Sequence, residues 1–218
     1  MKRLLAEAGS TKTQWAATGL PLISGPGMNP GVQTAEELMQ ALPDSLKNYL
    51  PDAIYFFGAG CSSPQAEERI QKVLNHWFPQ VKTVVVGHDI LAAALACCGN
   101  QAGIVGILGT GANSACFDGE RIVDSIAAPG YVFADEGGGT WLGKHFLLDF
   151  MRAKLPEALH RAALERFPDL SEAWIVEQTY RKPRPNAFLA SFVPFLAEHL
   201  EGSDYVQNLI EEGMDAFF

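Results

Sequence analysis

The chain has 218 residues, 48% of them hydrophobic and 19% charged, with a formal net charge of -9. That composition is globular and supports one sizeable core or two modest ones, while the acidic balance offers nucleic acid no footing. The most apolar run, residues 90–98, is too short to cross a bilayer, and the start, MKRLLAEAGS, lacks the sustained apolar segment of a signal peptide. A cytoplasmic protein with no membrane partner is therefore expected. Cys61, Cys97, Cys98 and Cys116 follow no zinc or disulfide spacing. Cys97 and Cys98, in an alanine-rich run, read as reduced and buried. Arg181, Lys182 and Arg184 stand among prolines and read as a solvated turn.

In chain order, residues 3–8 read as a first strand and 14–17 as a second, with the small-residue turn GSTKT at 9–13 between them. Strand, tight turn and strand make a hairpin, not the strand–loop–helix of a P-loop. Residues 19–31 hold four Gly and three Pro and read as a loop after a short strand. Thr34 opens a helix with Glu37 three residues on, a capping box, and Leu38, Leu42 and Leu46 are placed on one face. Residues 53–57 form a buried strand ending at GAGC. Residues 64–78 form an amphipathic helix with Ile70, Val73, Leu74 and Trp77 as its stripe. A strand at 81–86 leads to Gly87, His88 and Asp89, and an apolar helix follows at 90–98.

A similar unit begins at 102–108, a strand followed by GTGANS at 109–114 and a strand at 115–117. Asp118, Gly119 and Glu120 turn the chain into a return strand at 121–125. The small-residue hairpin turn thus occurs twice, as expected of two lobes facing one ligand. From Trp141 the pattern is helical, at about 141–153, 157–166, 170–179, 186–200 and from Asp204. A terminus reading Phe217–Phe218 hints at a natural protein that continues.

Several clusters carry chemistry. In the first turn, Gly9, Ser10, Thr11, Lys12 and Thr13 offer successive N–H groups and hydroxyls to an anion, or form an ordinary polar hairpin. Gly109, Thr110 and Gly111 are an object of the same kind, with Asn113 and Ser114 as further donors. Glu7, just before the first turn, is placed to hold Mg²⁺, or is a surface carboxylate at a strand end. Asp89 follows an apolar strand, where the carboxyl ends of an open α/β sheet face the ligand. It can take the proton of an attacking hydroxyl and can also cap the following helix. His88 is a neighbour that orients the loop. Asn29, in PGMNPG, belongs to a ligand clamp or a linker. Asp135 and Glu136 precede three glycines and suit sugar hydroxyls, or form an acidic loop that caps a helix.

These motifs, in this order, resemble the BadF/BadG/BcrA/BcrD-type ATPases that include the N-acetylglucosamine kinases, of the actin/hexokinase/Hsp70-like superfamily. EAGSTKTQW at 7–15 resembles the first phosphate loop, GILGTGANS at 106–114 the second, HDILAAALA at 88–96 the base segment, PGMNPG at 26–31 a substrate loop, and DEGGGTWLG at 135–143 the DEGSG-like segment. The resemblance spans residues 4–143 and is specific for the superfamily.

It implies an α/β fold of the actin-like ATPase (ribonuclease H-like) type, two lobes with mixed β-sheets flanked by helices. The first lobe is expected at residues 1–100, with the first phosphate loop and the base. The second is expected at 101–218, with the second phosphate loop and a helical region. The implied activity is phosphoryl transfer from ATP, with Mg²⁺ at Glu7, to an amino sugar, N-acetylglucosamine at its 6-hydroxyl, with Asp89 as base. Gly9, Ser10, Thr11, Lys12, Thr13, Gly109, Thr110 and Gly111 would hold the phosphates. Asn29, Asn113, Ser114, Asp135 and Glu136 would meet the sugar. A homodimer is a family-level expectation.

Three positions depart from the pattern: Glu7 and Gln14 stand where Asp is usual, and Gly138 where Ser is usual. The family's adenosine-binding glycine motif has no counterpart here. A reductase-activator ATPase, or a sugar sensor without catalysis, remains as an alternative.

Overall fold

The computed structural model describes residues 1–9 and 11–218. It divides into two units, residues 1–105 with 116–124, and residues 106–115 with 125–218.

The first unit is built on a five-stranded sheet in the order β3-β2-β1-β4-β5. Its strands are β1 (Arg3–Ala8), β2 (Lys12–Ala17), β3 (Ile23–Pro26), β4 (Ala53–Gly58) and β5 (Thr83–His88). β1, β4 and β5 run parallel, while β2 and β3 add on antiparallel. The period of two in the sequence becomes two faces. Leu4, Ala6 and Ala8 of β1, with Trp15 of β2 and Ile54 and Phe56 of β4, point into one core. There Ile70, Val73 and Leu74 of α2 (Pro64–Trp77) cover them. Trp15 is fully buried, its ring edge-on to Phe56 at 6.2 Å. Glu7 and Phe57 lie on the opposite face, where α3 (Asp89–Cys98) packs. Ala8 pairs with Gly58 and Gly58 with His88, so the three parallel strands end level. That alignment brings Gly9, Gly60 and Asp89 to the carboxyl end of the parallel strands.

Residues 103–125 form a three-stranded sheet in the order β6-β7-β8, from β6 (Gly103–Leu108), β7 (Ala112–Phe117) and β8 (Ile122–Ser125), and the division between units falls inside it. The rest of the second unit is helical: α4 (Gly139–Met151), α5 (Glu157–Arg166), α6 (Glu172–Tyr180), α7 (Pro185–Ala190), α8 (Val193–Glu198) and α9 (Asp204–Phe217). Phe146 of α4 is fully buried, with Phe192 and Phe195 at 5.7 and 5.6 Å.

The fold is the mixed α/β arrangement of sheets flanked by helices that the motifs imply, with local departures. Residues 23–26, expected as loop, form the edge strand β3, where Gly25 and Pro26 are tolerated because one side of the strand needs no partner. The capping box at Thr34 is present, but its helix, α1 (Ala35–Met39), ends early. Pro43 cannot continue a helix and biases Leu42 away from it. Leu46 is fully buried all the same, from a short 3-10 turn, Asp44–Leu46. β5 lies two residues later than expected, because Val81 still belongs to the turn that closes on Phe78. The helix expected at 186–200 is broken at Ser191 and Phe192 into α7 and α8. Cys97 is exposed and Cys98 half-buried, against the expected burial. Only Ile90 and Ala94 of α3 are buried, so its last turn emerges from the packing. Among the described residues no helix is long and apolar enough to cross a membrane.

Candidate functional site

In the first unit the β1–β2 turn closes through the Gly9 N–H, which donates to the Lys12 carbonyl at 2.8 Å. Thr11 and Lys12 are exposed, and Ser10 lies outside the described residues. Thr13 faces the core instead: it is fully buried, with Oγ1 finding no hydrogen-bond partner among the described residues. Its hydroxyl is therefore turned away from the exposed turn.

The substrate loop at 26–31 is held on several sides. Asn29 Oδ1 accepts from the Gly31 N–H at 2.9 Å, and Gln33 Nε2 donates to the Gly27 carbonyl at 3.0 Å. Arg69, from α2, donates to the carbonyls of Pro30 and Gln33. Gly60, at φ 80°, lies against this loop so closely that a Cβ there would stand 2.0 Å from Asn29 Oδ1. Arg69 and Gly60 were not among the residues the sequence singled out. Gly60 carried a signal, a second glycine just after a buried strand; Arg69 carried none, because helix surfaces are normally charged.

Asp89 opens α3. Its Oδ1 accepts from the Ile90 N–H at 2.9 Å and lies 2.7 Å from His88 Nδ1. The cap of α3 is His88, whose Nδ1 accepts from the Ile90 N–H at 3.3 Å, so Asp89 is the first helical residue and not the cap expected of it. Glu7, on the same face of the sheet, has its carboxyl held above the ordinary glutamate range, first by partial burial and then by the negative charge of Asp89, with Lys12 opposing. Mutual repulsion of two carboxylates is the situation a hard cation relieves. Among the described residues no group of three or more His, Cys, Asp and Glu is gathered to cage a metal. The pairing of Glu7 with Asp89 is compatible in donor type with Mg²⁺, a hard ion that takes one or two carboxylates and completes its shell with water and phosphate.

In the second unit the turn after β6 is tied to the start of α4. The Gly109 N–H donates to the Gly111 carbonyl, while the Gly139 and Thr140 N–H groups donate to the carbonyls of Gly109 and Thr110, both at 2.8 Å. Asp135 has a left-handed backbone, φ 71°, and its Oδ1 accepts from the Ala112 N–H at 3.0 Å. Its other oxygen lies 3.4 Å from Thr140 Oγ1. Gly138 is pressed on this turn, leaving no room for a serine side chain: a Cβ would come within 2.7 Å of Gly111 main chain. Asn113 and Ser114 lie in β7, not in the turn. With Asp135 and Glu136 they line a cavity of about 70 Å³, walled by Ile126 and Phe217. The structure thus gathers Asn113, Ser114, Asp135 and Glu136 in one place, whereas Asn29 belongs to the other unit.

The chain is 39% identical to a solved structure from Porphyromonas gingivalis assigned as an N-acetylglucosamine kinase, with a TM-score of 0.91 over 98% of this chain and 78% of that one. A second, from Chromobacterium violaceum and assigned likewise, gives 18% identity and a TM-score of 0.74 over 99% of this chain and 80% of that one. ADP-bound MreB5 of Spiroplasma citri aligns with a TM-score of 0.50 at 12% identity, over 96% of this chain and 82% of that one. The latter two speak to the fold alone. No protein-family profile and no curated protein matches the chain.

Proposed function

The chain belongs to the BadF/BadG-type, N-acetylglucosamine kinase-like ATPase family, and from that premise we propose that it is an ATP-dependent kinase of an amino sugar, N-acetylglucosamine at its 6-hydroxyl. The observation that carries the reading is 39% identity over 98% of the chain to a solved structure assigned as an N-acetylglucosamine kinase. The placement of Asp89 supports it, a carboxylate at the carboxyl end of a parallel strand on the face that carries Glu7.

In this reading the sugar hydroxyl oxygen attacks the γ-phosphorus of ATP. The bond from that phosphorus to the bridging oxygen of ADP breaks, and the hydroxyl proton passes to Asp89. The first lobe, residues 1–100, supplies Asp89, Glu7, Asn29 and a phosphate turn in which Gly9, Thr11 and Lys12 act by N–H groups and charge. Thr13, its hydroxyl buried, would act through its main chain. The second, residues 101–218, supplies Gly109, Thr110 and Gly111 for phosphate, and Asn113, Ser114, Asp135 and Glu136 for the sugar. Mg²⁺, when bound, supplies neutralisation of phosphate charge next to Glu7.

Coupled measurement of ADP and sugar phosphate with N-acetylglucosamine, glucosamine and glucose tests this. Sugar-dependent release of both is expected, with Asp89→Asn lowering kcat by at least about 100-fold. ATP consumption independent of sugar would favour an ATPase module instead. Sugar binding without turnover would favour a sensor.

A further inference from the structure

Residues 27–33 carry Asn29 and follow the end of β3 at Pro26, outside any strand or helix. Main-chain groups without a ladder must find their partners elsewhere. Here the turn closes on itself. The Val32 and Gln33 N–H groups donate to the Asn29 carbonyl at 3.2 and 3.0 Å, and the Gly31 N–H donates to Asn29 Oδ1 at 2.9 Å. Gln33 Oε1 accepts from the Asn29 N–H, while Gln33 Nε2 donates to the Gly27 carbonyl at 3.0 Å. Arg69, in the middle of α2, then ties the turn to the body of the unit. Its Nη1 donates to the carbonyl of the buried Pro30, and its Nη2 to the Gln33 carbonyl at 2.6 Å. Both prongs go to main chain, which a planar guanidinium fork serves better than a single ammonium.

The turn lies at a defined place on the sheet. Gly60 follows the end of β4, and a Cβ there would stand 2.0 Å from Asn29 Oδ1 and 3.1 Å from the Gly31 nitrogen. The Asn29 side chain therefore sits at the carboxyl end of β4, beside β5, whose end leads into Asp89. In an open α/β sheet that end is where ligands meet the protein. We propose that Arg69 is a positioning residue for the sugar: by holding the carbonyls of Pro30 and Gln33 it fixes the turn that presents Asn29, and so sets the affinity for the sugar. The inference rests on the kinase reading, in which Asn29 meets the sugar. α2 is a firm support, since Ile70, Val73 and Leu74 anchor it in the core, and a contact held from a packed helix is more precise than one left to its own loop. Misplacement of a substrate-positioning group by about 1 Å can cost 100-fold.

Two measurements test it. The first needs no ligand: amide hydrogen exchange of the full chain, read by NMR. Arg69→Met keeps an apolar stem and removes both donors. The Asn29, Gly31 and Gln33 amides are expected to exchange on the order of tenfold faster, with those of α4 unchanged. Unchanged protection of the turn overturns the inference, whether or not any sugar is phosphorylated. The second is calorimetric. Arg69→Met is expected to raise the Kd for N-acetylglucosamine on the order of tenfold and to leave the Kd for ATP unchanged. In an Asn29→Ala background it should cost nothing further. Gln33→Ala loosens the same turn without altering α2 and is expected to repeat both results, so a poorly folded Arg69 variant does not decide the outcome. Unchanged sugar affinity, an equal loss for ATP, or an undiminished loss in the Asn29→Ala background overturns the inference. A parent that binds no sugar, together with faster exchange of the turn in Arg69→Met, sinks the kinase reading and leaves the hold of Arg69 on the turn standing.

Discussion

Glu7 shows how one methylene and two neighbours set a residue's behaviour. Burial and the charge of Asp89 raise its pKa above the ordinary 4.5, with Lys12 pulling the other way. The folded state thus holds the Glu7 proton more tightly than the unfolded chain does. Stability from this group is present at low pH and lost as pH rises from that value through the raised one. In metal-free buffer Glu7→Gln should unfold at a higher temperature than the parent at pH 7, with the two converging below pH 4.5. Thermal unfolding at several pH values checks this; a variant less stable at pH 7 would contradict it. Gly138 is constrained by space, not charge. A Cβ there would meet the Gly111 carbonyl carbon and oxygen at 2.7 and 2.8 Å, both main-chain atoms that cannot swing aside. Gly138→Ala should therefore destabilise by about 1–3 kcal/mol, measured by urea unfolding.

At the scale of elements, the start of α1 was legible and its end was not. Thr34 Oγ1 accepts from the Glu37 N–H at 3.2 Å, and Glu37 Oε2 accepts from the Thr34 N–H at 2.8 Å. Thr34→Ala removes one half of that reciprocal pair, and a loss of about 1 kcal/mol is expected, with the urea slope unchanged. The end was misjudged because leucines at 42 and 46 continue the helical period although Pro43 stands between them. A buried leucine satisfies the core from a helix or from a turn, and periodicity does not separate the two. β5 shows the same limit: Val81 and Val86 are both apolar, and only pairing with β4 fixes which residues belong to the ladder. That two-residue shift matters, since it makes His88 the last residue of the strand and Asp89 the first of the helix.

At the scale of the molecule, the described residues form one hydrophobic cluster around Trp15 and Phe56 and another around Phe146, Phe192 and Phe195. They dispose the four cysteines differently. Cys61 is 1% exposed and burial pushes its thiol up to about 12, whereas Cys97 and Cys116 are exposed. The thiolate is the reactive form, so a thiol reagent at pH 8 should modify Cys97 and Cys116 in the native protein and Cys61 only after unfolding. Mass spectrometry of labelled peptides reads this, and modification of native Cys61 at the rate of Cys97 would contradict it.

The sequence by itself determined what depends on neighbours along the chain. The hairpin around 9–13, the capped start at Thr34, the α2 stripe of Ile70, Val73 and Leu74, and the order of glycine-rich turns all follow from local sterics, local hydrogen bonds and periodicity. Only the tertiary structure decided what depends on contacts distant in sequence. It turned the Thr13 hydroxyl into the core, set Arg69 on the loop of Asn29, closed the Asp135 carboxylate on the Ala112 N–H, and left Cys97 exposed at the end of α3. The reason is physical: a side chain's type limits which bonds it can make, but which partner lies within 3 Å is set by the register and packing of strands and helices far apart in the sequence.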